Sequence, residues 1–131
     1  MDLSSRNRKE IGALGESVAV EYLRRRGMQI IARNVTRKTG ELDVIACEED
    51  ILHIVEVKTL VINEFPRMEN GEDVYDPSVN LHAYKIRKVA RTAEWYVLDS
   101  GWEGDWQVDG CLVWLRRRDG KAFVRFFPQI A

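Results

Sequence analysis

Cysteine is scarce in this chain of 131 residues: there are two, Cys47 and Cys111. Both sit in strand-like apolar runs and lack metal-type spacing, so they read as reduced core thiols rather than a disulfide or a zinc site. The two histidines, His53 and His82, also stand without a partner at ligand spacing and read as structural or surface residues. No apolar run approaches the ~20 residues that span a bilayer. Met1 to Glu10 is polar and has no signal-type hydrophobic stretch, so a cytoplasmic protein is expected, with no membrane partner. Repeats and low-complexity segments are absent. Net charge is only −1, which argues against an indiscriminate polyanion binder.

What is present is ordinary in bulk. With 45% hydrophobic and 31% charged residues, the composition is that of a soluble globular protein, and the length is that of one domain able to build a core without staples. The charge is unevenly spread. Residues 1–40 carry 9 basic and 4 acidic groups, residues 41–80 carry 2 and 11, and residues 81–131 carry 9 and 6. An acidic middle between basic flanks suits a carboxylate metal site with phosphate-holding surroundings, and equally a normal scatter of solvated charge.

The stretch from Gly40 to Lys58 organises the rest. Leu42 to Cys47 and Ile51 to Val57 are rich in β-branched residues, and Glu48-Glu49-Asp50 between them reads as a hairpin turn. Side chains alternate along a strand, so Glu56 and Lys58 share a face with Leu52 and Ile54, while Val55 and Val57 point the other way. Hairpin pairing brings Asp43 near them. Phosphodiester hydrolysis needs hard oxygen ligands for Mg²⁺ or Mn²⁺, a role that Asp43 and Glu56 fit. It also gains from a nearby ammonium that orients water or offsets transition-state charge, a role that Lys58 fits. The plainer alternative is a same-face Glu56–Lys58 ion pair on a solvated strand, worth only ~0–1 kcal/mol.

Around this hairpin, Asn7 to Arg26 is expected to be a helix. Asn7 and Glu10 make a capping pair, Gly27 is the stop, and Ile11, Leu14, Val18 and Tyr22 are the buried stripe, with Gly12, Glu16, Ala19 and Leu23 on its flank. Gly12 and Gly15 each cost up to ~1 kcal/mol in a helix, which suggests close packing against the sheet. Met28 to Val35 reads as a strand and Thr36 to Gly40 as a basic turn, from which Arg33, Arg37 and Lys38 can reach phosphate or simply be solvated. Leu60 to Pro77 has no clear period and reads as an acidic loop. Ser78 to Leu98 is a second helix, basic in its first half through Lys85, Arg87, Lys88 and Arg91. Trp106 to Leu115 and Ala122 to Phe127 form a closing hairpin with Arg116 to Arg118 at its tip. Its aromatic residues read as core or partner surface more readily than as base-stacking platforms.

Gly40-Glu41-Leu42-Asp43 followed by Val55-Glu56-Val57-Lys58 resembles the D…(D/E)-x-K signature of restriction-endonuclease-like nucleases. With Gly12-Ala13-Leu14-Gly15-Glu16 before it, the pattern over roughly residues 8 to 115 is similar to the YraN-type family of small, uncharacterised endonuclease-like proteins, themselves similar to archaeal Holliday-junction resolvases. That resemblance implies a restriction-endonuclease-like α/β core, a mixed sheet flanked by helices in the order αβββαββ. It makes Glu16 a third metal acid beside Asp43 and Glu56, places Lys85 near the substrate phosphate, and matches Asp109 to an aspartate of the family. Two features depart from it: Leu60 stands where an arginine is usual, and the acidic loop replaces a shorter, less acidic segment.

The expectation is a metal-dependent DNA endonuclease, for which the resemblance implies structure-selective cutting of branched DNA; sequence-specific cutting is not expected, because the basic groups suit backbone contacts and nothing resembles a separate recognition domain. Its alternative is a nucleic-acid-binding or protein-interaction module on the same fold without vigorous catalysis. A homodimer built on the aromatic hairpin is compatible with either.

Overall fold

The computed structural model describes residues 1–65 and 83–131, with the side chains of the second helix from Ile86 onward. The elements are helix α1 (Arg8–Arg25), strands β1 (Gln29–Arg37), β2 (Gly40–Glu48) and β3 (Ile51–Ile62), helix α2 (Ala83–Ser100), and strands β4 (Asp105–Arg116) and β5 (Ala122–Phe127). This is the expected α/β order, αβββαββ. The five strands form one mixed sheet in sequence order, antiparallel throughout except for the parallel pair β3–β4. Parallel neighbours need a crossover, and α2 lies within it.

The two helices cover opposite faces. Ala19, Val20 and Leu23 of α1 pack with Val44, Val55 and Val113, whereas Val89 and Ala93 of α2 pack with Ile45, Ile54 and Val108. The period-2 alternation of β3 separates the two layers, with Leu52 and Ile54 toward α2 and Val55 and Val57 toward α1.

Local signals act as the sequence suggests at the start of α1. Asn7 accepts from the Glu10 amide at 2.8 Å while the Glu10 carboxylate accepts from the Asn7 amide, a complete capping box, and Gly27 ends the helix at φ 103°. The helix is rotated from the expected stripe, however. Gly15, Ala19, Val20 and Leu23 are its buried residues, while Ile11, Leu14, Val18 and Tyr22 pack at the margin. The small residues win the centre because they let α1 settle closely on the sheet. A Cβ on Gly15 would lie 1.8 Å from Thr59 Oγ1, whereas one on Gly12 meets nothing within 4 Å, so only Gly15 is a packing glycine.

Three boundaries differ from expectation. The β1–β2 turn is only Lys38–Thr39. The β2–β3 turn is Glu49–Asp50, with φ of 51° and 62° at its central residues, the two-residue type I′ geometry that matches strand twist. β3 continues through Leu60, Val61 and Ile62 because β4 pairs with it as far as Ile62↔Arg116. Of the expected acidic loop, residues 66–77 lie outside the described residues, as do residues 78–82 at the start of the expected second helix.

Candidate functional site

Asp43 owes its position to a fault in β2. The β2–β3 ladder ends at Val44↔Val55, and beyond it Leu42 packs on the α2 side with Ile45 while Val44 and Ala46 face α1. The alternation therefore slips at Asp43. Its neighbour across β1 is Asn34, which adopts the left-handed conformation with φ 51°. Where the ladder stops, Asp43 Oδ2 accepts the Val57 N–H at 2.8 Å, so a carboxylate replaces a strand carbonyl and is fixed beside β3. Glu56, one residue earlier, is 7% exposed and lies on the α2 face. Asp43 and Glu56 thus line one cleft of about 440 Å³, walled by Gly40, Glu41, Lys88 and Thr92.

Helix α2 and the short β1–β2 turn build the surroundings. The Thr92 hydroxyl donates to the Lys88 carbonyl at 3.0 Å, which leaves the Thr39 hydroxyl to donate to Thr92 Oγ1 at 2.7 Å. That bond ties the turn to the helix. Gly40, at φ 152°, passes so near that an added Cβ would stand 3.3 Å from Thr92 Oγ1. A second groove of about 300 Å³ lies alongside, lined by Lys38, Thr39, Arg87, Lys88 and Arg91. Lys88 borders both spaces, so an acidic cleft opens into a basic one. Sequence spacing could not single out Lys88 and Thr92. Their signal is that both flank the sheet-facing residues Val89 and Ala93, which becomes legible only once the buried side of α2 is known.

Glu16 projects from α1, yet it is electrostatically coupled to the site. Burial pushes its carboxyl up, the Asp43 charge pushes the same way, and Arg33 and Asn34 pull it down. Its Oε1 is buried with no hydrogen-bond partner among the described residues. An orphaned carboxylate oxygen made costly by a neighbouring acid fits a cation nearby. Among the described residues no three His, Cys, Asp or Glu side chains are close enough to enclose a metal ion as placed. Mg²⁺ does not require that, because one or two carboxylates commonly hold it while water and substrate phosphate complete the shell. Asp43 and Glu56 meet that requirement, with Glu16 as the near third acid.

The other expected residues divide. Lys58 shares the Glu56 face of β3 but is exposed and does not line the cleft; Lys88 does. Lys38 borders the basic groove. Arg37 is occupied, its Nε bonded to Asp99 Oδ2 at 3.3 Å and its guanidinium over the Tyr96 ring at 5.5 Å. Arg33 reaches Ser17. The Lys85 side chain and His82 lie outside the described residues. Asp109 is fully buried on the α1 side of β4, where Oδ2 meets His53 Nδ1 at 2.6 Å and Oδ1 accepts from the Gln107 side chain and the Gln129 amide. This is a structural network away from the cleft. The hairpin arginines are tied as well, Arg116 to Asp119, Arg117 to Asn63 and Arg118 to Glu64.

A mixed sheet with one helix on each face, and an acidic cleft merging into a basic groove beside the crossover helix, defines a small α/β protein with a charged cleft between sheet and helix. The chain belongs to the uncharacterised protein family UPF0102, whose model matches residues 15–122, the YraN-type family that its motifs resemble. It is 36% identical over 98 residues to a UPF0102 protein of Campylobacter jejuni, covering 75% of this chain and 78% of that one. A UPF0102 protein of Syntrophotalea carbinolica is 35% identical over 121 residues, covering 92% and 90% of the two chains. No helix among the described residues is long and apolar enough to cross a membrane.

Proposed function

We propose that this protein is a metal-dependent DNA endonuclease that hydrolyses phosphodiester bonds, with branched DNA as its substrate class. The observation that carries the reading is the cleft in which Asp43 and Glu56, from adjacent strands, meet directly beside a groove of four basic residues. A phosphate seated at the junction has cations along its strand and carboxylates at its reacting face. Asp43 and Glu56 would hold Mg²⁺ or Mn²⁺, with Glu16 as the third acid. A bound divalent cation there supplies Lewis-acid polarisation of the phosphate and a more acidic water.

The chain's own groups do the rest. Lys88 in the cleft, with Lys58 on the same strand face as Glu56, offsets the charge that gathers on the phosphate oxygens and orients water. Lys38, Arg87 and Arg91 hold the backbone without reading bases, which suits selection by structure. The position of Lys58 outside the cleft lining favours a second reading, a nucleic-acid-binding module with weak catalysis.

A divalent-cation titration followed by thermal unfolding separates them. A cation that binds only the folded protein stabilises it by about 2.7 kcal/mol at a hundredfold excess over its Kd. Wild type should show a rise in melting temperature with Mg²⁺ or Mn²⁺, and Asp43→Asn and Glu56→Gln should remove the cation-dependent part. No rise for wild type at millimolar cation favours the binding module.

A further inference from the structure

The basic groove does not end at Arg91. Lys38 and Thr39 also border a third cavity, of about 390 Å³, completed by Arg37, Trp95 and Asp99. Three spaces therefore adjoin α2, an acidic cleft at Lys88 and Thr92, a basic groove beside it at Arg87 and Arg91, and an aromatic cavity further along the helix at Trp95. From Lys88 to Asp99 this is about 16 Å of helix. Arg87, Arg91 and Trp95 are spaced by four residues and share one exposed side, and Trp95 is 52% exposed although it is a large apolar group.

We infer that this third cavity is a stacking site for an unpaired nucleobase, whose strand continues through the basic groove toward the carboxylates. The inference rests on the nucleic-acid reading above and narrows it to substrates with single-stranded character. Indole offers the broadest π-face of any side chain, and a base inside an intact duplex has no free face to give it. Lys38 at the cavity border and Arg91 one turn before Trp95 supply the cations for the flanking phosphates, so the charge of the surroundings matches that of a strand carrying such a base. Asp99 does not repel that strand as a bare anion, because Arg37 is bonded to it at 3.3 Å. The cavity volume lies in the range of small-ligand pockets, ~300–1,000 Å³. A blunt duplex would use only the basic groove.

The test is the dissociation constant of labelled oligothymidylate and of a blunt mixed-sequence duplex, measured by fluorescence anisotropy in Ca²⁺ for wild type, Trp95→Ala and Trp95→Phe. Trp95→Ala should weaken oligothymidylate binding about tenfold, the size of one lost base stack, and leave duplex binding within about twofold. Trp95→Phe should restore most of the loss, which a merely misfolded variant would not. Equal weakening of both ligands, or no change in either, overturns the stacking site while leaving the nuclease reading intact. Failure of wild type to bind either ligand overturns both.

Discussion

Gly15 is the residue on which the site most plainly depends, because it sets how near α1 comes to β3 and with it where Glu16 stands. Gly15→Ala gains up to ~1 kcal/mol of helix propensity but drives a methyl against Thr59, and overpacking of this kind costs ~1–3 kcal/mol. With the contact at 1.8 Å from Oγ1 and 2.6 Å from Cγ2, the clash wins. The urea midpoint of Gly15→Ala should fall with an unchanged slope. Adding Thr59→Ala should recover only part of it, because Thr59 Cβ itself is 2.7 Å away. A midpoint equal to wild type would mean that α1 is not seated on Thr59. The cost of glycine within a helix was legible in the sequence as a sign of close packing, but not which glycine packs. Gly12 and Gly15 look alike until the helix is rotated onto the sheet. Asp43 and Glu56 were legible as neighbours from the expected hairpin pairing of their strands. The slip that turns Asp43 into a cap for the Val57 amide was not, since it depends on the left-handed Asn34 and on where the β2–β3 ladder stops.

At the scale of elements, the β4–β5 hairpin shows how charge is spent on structure. Asp119 accepts from Arg116 Nη2 at 2.6 Å and Nε at 3.0 Å, and from the Lys121 amide at 3.1 Å. The Arg116 bonds, with the Lys121 amide adding, hold its carboxyl well below the ordinary 3.8. A depressed carboxylate pKa gives stability that is present above the unfolded value and lost as pH falls through the lower folded one. Asp119→Asn should therefore lower thermal stability modestly at neutral pH, and the gap to wild type should begin to narrow near pH 3.8 and close only as pH falls through the lower folded value. A gap that persists unchanged in acid would assign the effect to packing instead. Element type was readable throughout, from capping at α1 and from β-branched runs in the sheet. The length of β3 was not. Leu60, Val61 and Ile62 lie past the point where the sequence pattern fades, and only the parallel pairing to β4 makes them strand. The arginines at the hairpin tip likewise look free in sequence and are bonded in the fold.

For the molecule as a whole, a net charge of −1 conceals a separation of charge beside α2, with a carboxylate cleft and a basic groove side by side and Lys88 bordering both. Composition by thirds hinted at this, but only the fold brings Lys38 from the first third and Lys88 from the last to the acidic middle. The claim that this arrangement cuts DNA is tested most directly by cleavage of end-labelled four-way junction, flap, single-stranded and duplex DNA in Mg²⁺ or Mn²⁺, by wild type, Glu56→Gln and Lys58→Ala, each verified as folded. Wild type should cut, with branched or single-stranded forms preferred, and loss of the Glu56 charge should slow cutting about a hundredfold or more. Wild type that binds DNA without cutting it, or a Glu56→Gln variant that cuts as well as wild type, would contradict the account.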